Sequence, residues 1–548
     1  MKKLILLFCV LFHVNLYSQW STNPNVNNPV CRSVNDQNAS EIISDGKGGV
    51  IITWADERSS SLNSDIYAQR FNADGVRKWA LNGISVCAAV KRQYEPDIAS
   101  DGNGGAIIIW QDERGAFTDL YAQRIDSNGN AVWQTNGVPV CTVNRYQKIP
   151  QIISDGNGGI FAVWEDTRNL LFSDIYAQHL NANGSPLWNP DGLEICVLNG
   201  QQNLPEAVSD GNGGIIVAWN DSRYSNNTNI YAQRINAAGN ILWQANGTPV
   251  CDILKAQNFT GIISDGNGGA IISFTDSRNA AVSNIDIYAQ RIGPDGSQLW
   301  QNGGIAICTA TNQQDESVLC SDGSGGAIIA WHDLRKGGDY DGDIYAQHIT
   351  KNGVLTWTAD GALAATAFRY RLFPYIVTNN KGGAVIIWQD YRGPGGSGYI
   401  YAQQMNAQGM RLWGAGGVAV CTAANGRFIS GIVNDATASA VAVWQDYRSD
   451  AFVADIYASK IKFTASADVM EPQAAAANTF TVYPNPASDI ITVSGMVEGK
   501  IKIYDASGQI IKVIEAAGKR TTITIDELLP GNYYIEAAGI VCTFIKTN

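Results

Sequence analysis

A Trp or Phe two residues before the Asp of an Asp-x-Arg triplet falls at Trp54, Trp110, Trp164, Trp219, Phe274, Trp331, Trp388 and Trp444, so one unit of 54 to 57 residues is written eight times. A unit this short cannot bury its apolar face alone, and stacking against its neighbours supplies the core. Each copy reads as four short strands. In the first copy they are Glu41 to Ser44, Val50 to Trp54, Asp65 to Gln69, and Trp79 to Cys87 with an Asn82-Gly83 turn inside it. The second strand is apolar on both faces, as a strand held between two sheets must be. β-Branched and aromatic residues dominate, and no segment carries a helical apolar stripe. The expected class is all-β: an eight-bladed β-propeller of four-stranded repeats, then a small C-terminal β-sandwich.

The ends of the array favour a closed ring over an open solenoid or a string of sandwiches. The eighth unit reaches its third strand, Asp455 to Ser459, and then runs into an Ala-rich stretch without a fourth. Near the N-terminus, Trp20 to Cys31 imitates the missing segment, although the two are eleven apart where the other pairs are eight. An N-terminal strand that completes the last blade leaves no free sheet edge. The expected boundaries are a signal peptide at 1–18, a propeller at 19–463, a linker at 464–478 and a separate unit at 479–548.

The leader reading rests on Lys2-Lys3, an apolar run from Leu4 to Phe12, and Tyr17-Ser18 before Gln19. No other stretch is long and apolar enough for a transmembrane span. The formal charge is −12, and −14 without the two leader lysines, which argues against nucleic acid or anionic lipid as partners. Seven of the ten cysteines (Cys31, Cys87, Cys141, Cys196, Cys251, Cys308, Cys421) hold the same place in successive units, where Ala365 stands in another. Equivalent points in packed sheets lie about 10 Å apart, beyond the roughly 7 Å reach of a disulfide. These thiols therefore read as small buried side chains; Cys320 and Cys542 lie outside the series.

The tail is unlike the repeats. It carries Tyr483-Pro484-Asn485-Pro486 with Asp489, then Ile503-Tyr504-Asp505 with Gly508, then Leu529 with Gly531-Asn532-Tyr533-Tyr534, and a last strand ending near Lys546. In this order, at the extreme C-terminus, these motifs resemble the type A sorting domain of cargo for the type IX secretion system of Bacteroidetes. The resemblance covers about residues 479 to 548. It implies export across both membranes, the secretion machinery as a partner, and an extracellular or outer-membrane-surface location. The repeats in turn resemble uncharacterised propeller-like repeats that accompany such tails.

Most conspicuous motifs are repeated, and a catalytic group is needed once. The eight Asp-x-Arg pairs read as ion pairs that brace a strand end, and the eight third-strand Tyr residues as packing between blades. The Asp-Gly-Asn-Gly-Gly turn offers too few oxygens for calcium, and its glycines explain it as a tight hairpin. Three alternating carboxylates in one long loop, Asp339, Asp341 and Asp343, form a weak calcium candidate; otherwise no cofactor is expected. The three mature-chain histidines fit no nucleophile–base or zinc motif.

Only the loop between the second and third strands varies in length, and it opens on the same face as the connection between blades. Variable loops on a rigid scaffold are where binding resides. Three inter-blade loops are basic and aromatic: Arg92 and Tyr94, Arg145 and Tyr146, and Arg369, Tyr370 and Arg371. Tyr faces stack on sugar rings and Arg forks hold carboxylates or sulfates. A Gln at the centre of six loops, replaced by Arg371 and Arg427 in the other two, reads as a structural brace. The reading favoured is a non-enzymatic exported binding protein, adhesive or glycan-binding. The alternatives are a polysaccharide hydrolase or lyase, using unrepeated acids such as Glu95, Glu206, Asp315 and Glu316, and a structural ring for protein contacts.

Overall fold

A computed structural model describes residues 20–463 and 481–547, less short segments at 170, 225–226, 281–283, 338–341, 367–368, 394–396, 436, 484–486, 495–498, 506–508, 517–519 and 538–539. The expected leader and linker lie outside the described residues. The chain divides into two compact units, 1–464 and 465–548.

The first unit is eight four-stranded antiparallel sheets. Blade 1 is typical: Gln37–Ser44, Val50–Ser60, Asn63–Phe71 and Ile84–Cys87. The second strands are buried from their start to the aromatic residue, with Trp54, Trp110, Trp164, Trp219, Phe274, Trp331, Trp388 and Trp444 fully enclosed between blades. The first strands pack against one another in cyclic order, the eighth against the first, and so form the inner wall. Ser40 and Ser430 hydrogen bond across that last junction at 2.9 Å.

Asn28–Cys31 pairs antiparallel with Asp455–Lys462 and completes the eighth blade. The closure copies contacts made elsewhere. Trp79 donates its indole N–H to Ser127 O of the next blade, and Trp20 does the same to Ala73 O at 3.1 Å. These indoles lie so close under the next turn that a Cβ on Gly129, where φ is +92°, would stand 2.9 Å from Trp79.

Two local expectations differ from the structure. The fourth strand is shorter than expected, Ile84–Cys87 in blade 1, because Asn82 and Gly83 take positive φ and turn the chain before it. The first strand is longer, Gln37–Ser44, and is broken by a bulge.

The second unit holds two sheets of three and four strands. Their shared core includes Ile491, Val493, Ile501, Ile503, Ile535 and Phe544. The Pro-Asn-Pro segment and Gly508 of the sorting motif lie outside the described residues.

Candidate functional site

The repeated motifs resolve into structure. In blade 3, the Asp166 carboxylate accepts the Trp164 indole N–H at 2.9 Å and the Arg168 guanidinium at 2.6 Å. That guanidinium stacks on the Tyr176 ring, 3.8 Å from its centroid, and donates to Cys141 Sγ of the preceding blade at 3.3 Å. All eight Arg residues of the motif stack on their third-strand Tyr at 3.6 to 3.9 Å. Burial pushes the Cys87 and Cys141 thiols up to about 12. They are packing groups with no thiolate character.

The Asp-Gly turns are equally self-contained. Asp45 accepts backbone N–H groups of Lys47 and Gly49 and pairs with Arg70 at 2.8 Å. His179 and His348 stand at the Arg70 position and pair with Asp155 and Asp322 at 3.1 and 2.9 Å. Two of the three histidines are thereby explained.

The loop face is where blades differ. The residue two before the central Gln or Arg has positive φ in every blade, and at Lys91, Arg145, Lys255 and Arg369 it is a cation in a backbone conformation that favours Asn or Gly. Exposed Arg92 lies 4.8 Å over half-buried Tyr94. Arg145 is exposed beside Phe117 of the preceding blade, which meets Tyr146 edge-on at 5.6 Å. Tyr146 is itself 44% exposed. Half-buried Arg369 adjoins Tyr370, which meets Tyr391 edge-on at 5.9 Å.

Arg371, expected on this arc, does not belong to it. It is fully buried, pairs with Asp343 at 2.8 Å, lies 3.6 Å from Asp390, and donates to Gly342 O. It occupies the brace position held elsewhere by buried Gln residues such as Gln93, which donates to Lys91 O at 3.1 Å. Of the calcium candidate, Asp339 and Asp341 lie outside the described residues. The Asp343 carboxylate already faces two cations, Arg371 and Lys336.

Toward the ring centre, the bulge of the first strand places a non-glycine residue at positive φ in six blades, including Glu95, Ile149, Glu316 and Phe373. Left-handed Ile and Phe are costly and concentrate where a chain is held for use. Phe373 and Phe428 are 43% and 49% exposed, and Phe428 meets Tyr447 edge-on at 6.1 Å. Blades 7 and 8 therefore carry an aromatic rim in addition to the basic loops. Its sequence signal was the Tyr inside Asp-x-Arg (Tyr391, Tyr447), where other blades place smaller or charged residues.

The unrepeated acids separate. Glu95 accepts a hydrogen bond from Gln111 of its own blade. Glu206 faces the ring interior, where burial raises it to about 7. Asp97 accepts the Ile152 N–H of the next blade at 2.6 Å, and burial raises it to about 6. Glu41 feels the Asp97 charge and is also held well above the usual carboxylate range, chiefly by burial. Asp315 and Glu316 instead converge with His332, their ligand atoms within 4.8 Å of one another.

A sequence profile for the secretion system C-terminal sorting domain matches residues 481–541. No curated protein matches the chain. Among solved structures, puromycin hydrolase aligns at 13% identity and a TM-score of 0.42, over 78% of this chain and 60% of its own; this chain thus spans less than two thirds of that protein. An ulvan lyase aligns at 10% identity and 0.41, over 72% and 95%. An α-L-arabinofuranosidase from Fusarium graminearum aligns at 12% and 0.32, over 59% and 94%. At these values the likeness assigns no activity to this chain.

Proposed function

We propose that this type IX secretion cargo is an exported binding protein whose propeller holds an acidic polysaccharide across its loop face. The observation that supports this most is the placing of Lys91, Arg145, Lys255 and Arg369 at left-handed positions of the inter-blade loops, with Arg145 beside Phe117. A cation there costs about 1 kcal/mol or more in backbone strain relative to Gly. In a chain of net charge −12, cations retained at that cost on one face fit an anionic ligand. Exposed Tyr146 and Phe373 offer faces for sugar rings, and Arg92 and Arg145 offer forks for carboxylate or sulfate.

A glycan-array screen tests this. Selective binding to uronate or sulfated glycans, weakened by salt and reduced about tenfold or more in Arg92→Ala/Arg145→Ala, is the expected result. Equal binding by the double mutant would remove the basic arc from the account. A second reading, cleavage of the bound polysaccharide, is favoured by the convergence of Asp315, Glu316 and His332. New reducing ends or unsaturated ends on a bound glycan would support it.

A further inference from the structure

Three ionisable side chains meet at one point of blade 6. His332 stands in the Trp-x-Asp slot that other blades fill with residues such as Ala55, Gln111 or Thr275. Asp315 and Glu316 occupy first-strand positions filled elsewhere by residues as different as Asn38 and Phe373. Unlike His179 and His348, His332 pairs with no turn aspartate. It is 5% exposed, its Nδ1 lies 2.8 Å from Asp315 Oδ1, and its Nε2 has no hydrogen-bond partner among the described residues. The Asp315 contact fixes the ring with Nδ1 toward the two carboxylates, while Nε2 faces Gly342. Glu316 takes φ +51° at the bulge position that six blades share.

We propose that Asp315, Glu316 and His332 bind one divalent transition-metal ion of the Zn²⁺ class at the loop-face end of the inner wall. One imidazole nitrogen with two carboxylate oxygens suits Zn²⁺ or its first-row neighbours better than Ca²⁺ or Mg²⁺, which take oxygen alone. Bonds of about 2.0 to 2.2 Å need ligand atoms roughly 3 to 4 Å apart. Binding displaces the proton shared by His332 Nδ1 and Asp315 Oδ1 to solvent, and a rotation of the half-buried Glu316 side chain closes the remaining gap. The outer shell is already built: Gln313 donates to Asp315, and the Phe373 backbone N–H of the next blade donates to Glu316 Oε2 at 2.7 Å. Such donors orient ligating carboxylates and tune their affinity. Three protein ligands leave a coordination position open. The site rests on neither functional reading given above.

The test is calorimetric titration of the full chain, stripped with EDTA, with ZnCl₂ and separately with MnCl₂. One equivalent of bound Zn²⁺ is expected. Asp315→Asn, Glu316→Gln and His332→Gln each weaken it about tenfold or more, and His348→Gln does not. Glu316→Gln keeps the acceptor for Phe373, so it carries the test even where His332→Gln impairs folding. Absence of saturable binding would overturn the proposal. So would binding that survives both Glu316→Gln and His332→Gln.

Discussion

At the residue scale, the Trp-Asp-Arg-Tyr-Cys cluster is the recurring joint. Removing its carboxylate leaves a guanidinium and an indole N–H without their acceptor. Asp166→Ala is therefore expected to destabilise the propeller by about 3 to 5 kcal/mol, measured by denaturant unfolding. The inner-wall acids give a pH signature of definite sign. Asp97 and Glu206 titrate at about 6 and 7 in the folded protein, above the values near 4 of an unfolded chain. Folding then favours their protonated forms. That stability is complete below about pH 4 and is lost as pH rises through 6 to 7. The melting temperature should rise from pH 8 to pH 5, and Asp97→Asn/Glu206→Gln should flatten the rise. An unchanged slope in the double mutant would assign the pH dependence elsewhere.

At the scale of elements, the repeat made the blades legible because eight copies of Trp or Phe, Tyr and Asp-x-Arg at one period admit few packings. The role of Trp20 to Cys31 was legible for the same reason. Deleting residues 20–31 should expose the edge of Asp455–Lys462, lower the melting temperature and promote association, read by light scattering. The first-strand bulge was not legible, because Ile149 and Phe373 carry no mark of positive φ; tertiary packing imposes it. Arg371 shows how a local reading competes with a periodic one. Its neighbours Arg369 and Tyr370 suggested a surface cation, whereas its register with Gln93 and Gln147 pointed to the buried brace. Convergence of Asp315, Glu316 and His332 depends on a bulge and a cross-strand pair, and neither leaves a sequence motif.

At the scale of the whole molecule, the sorting domain and the proposed binding face belong to different units. The tail bears the sorting domain, so a chain lacking 479–548 is expected to fail to reach the cell surface while its propeller still folds, as fractionation and circular dichroism would show. The propeller offers two unlike faces: tight turns, six of them Asp-Gly turns closed by an ion pair, and loops that differ from blade to blade. The central claim is that an acidic polysaccharide lies on the second of these. Hydrogen exchange of the full chain with and without a bound uronate or sulfated oligosaccharide tests it most directly. The account predicts slowed exchange in the inter-blade loops around Arg92, Arg145 and Arg369, with the Asp-Gly turns unchanged. Protection confined to those turns, or spread evenly over both faces, would contradict it.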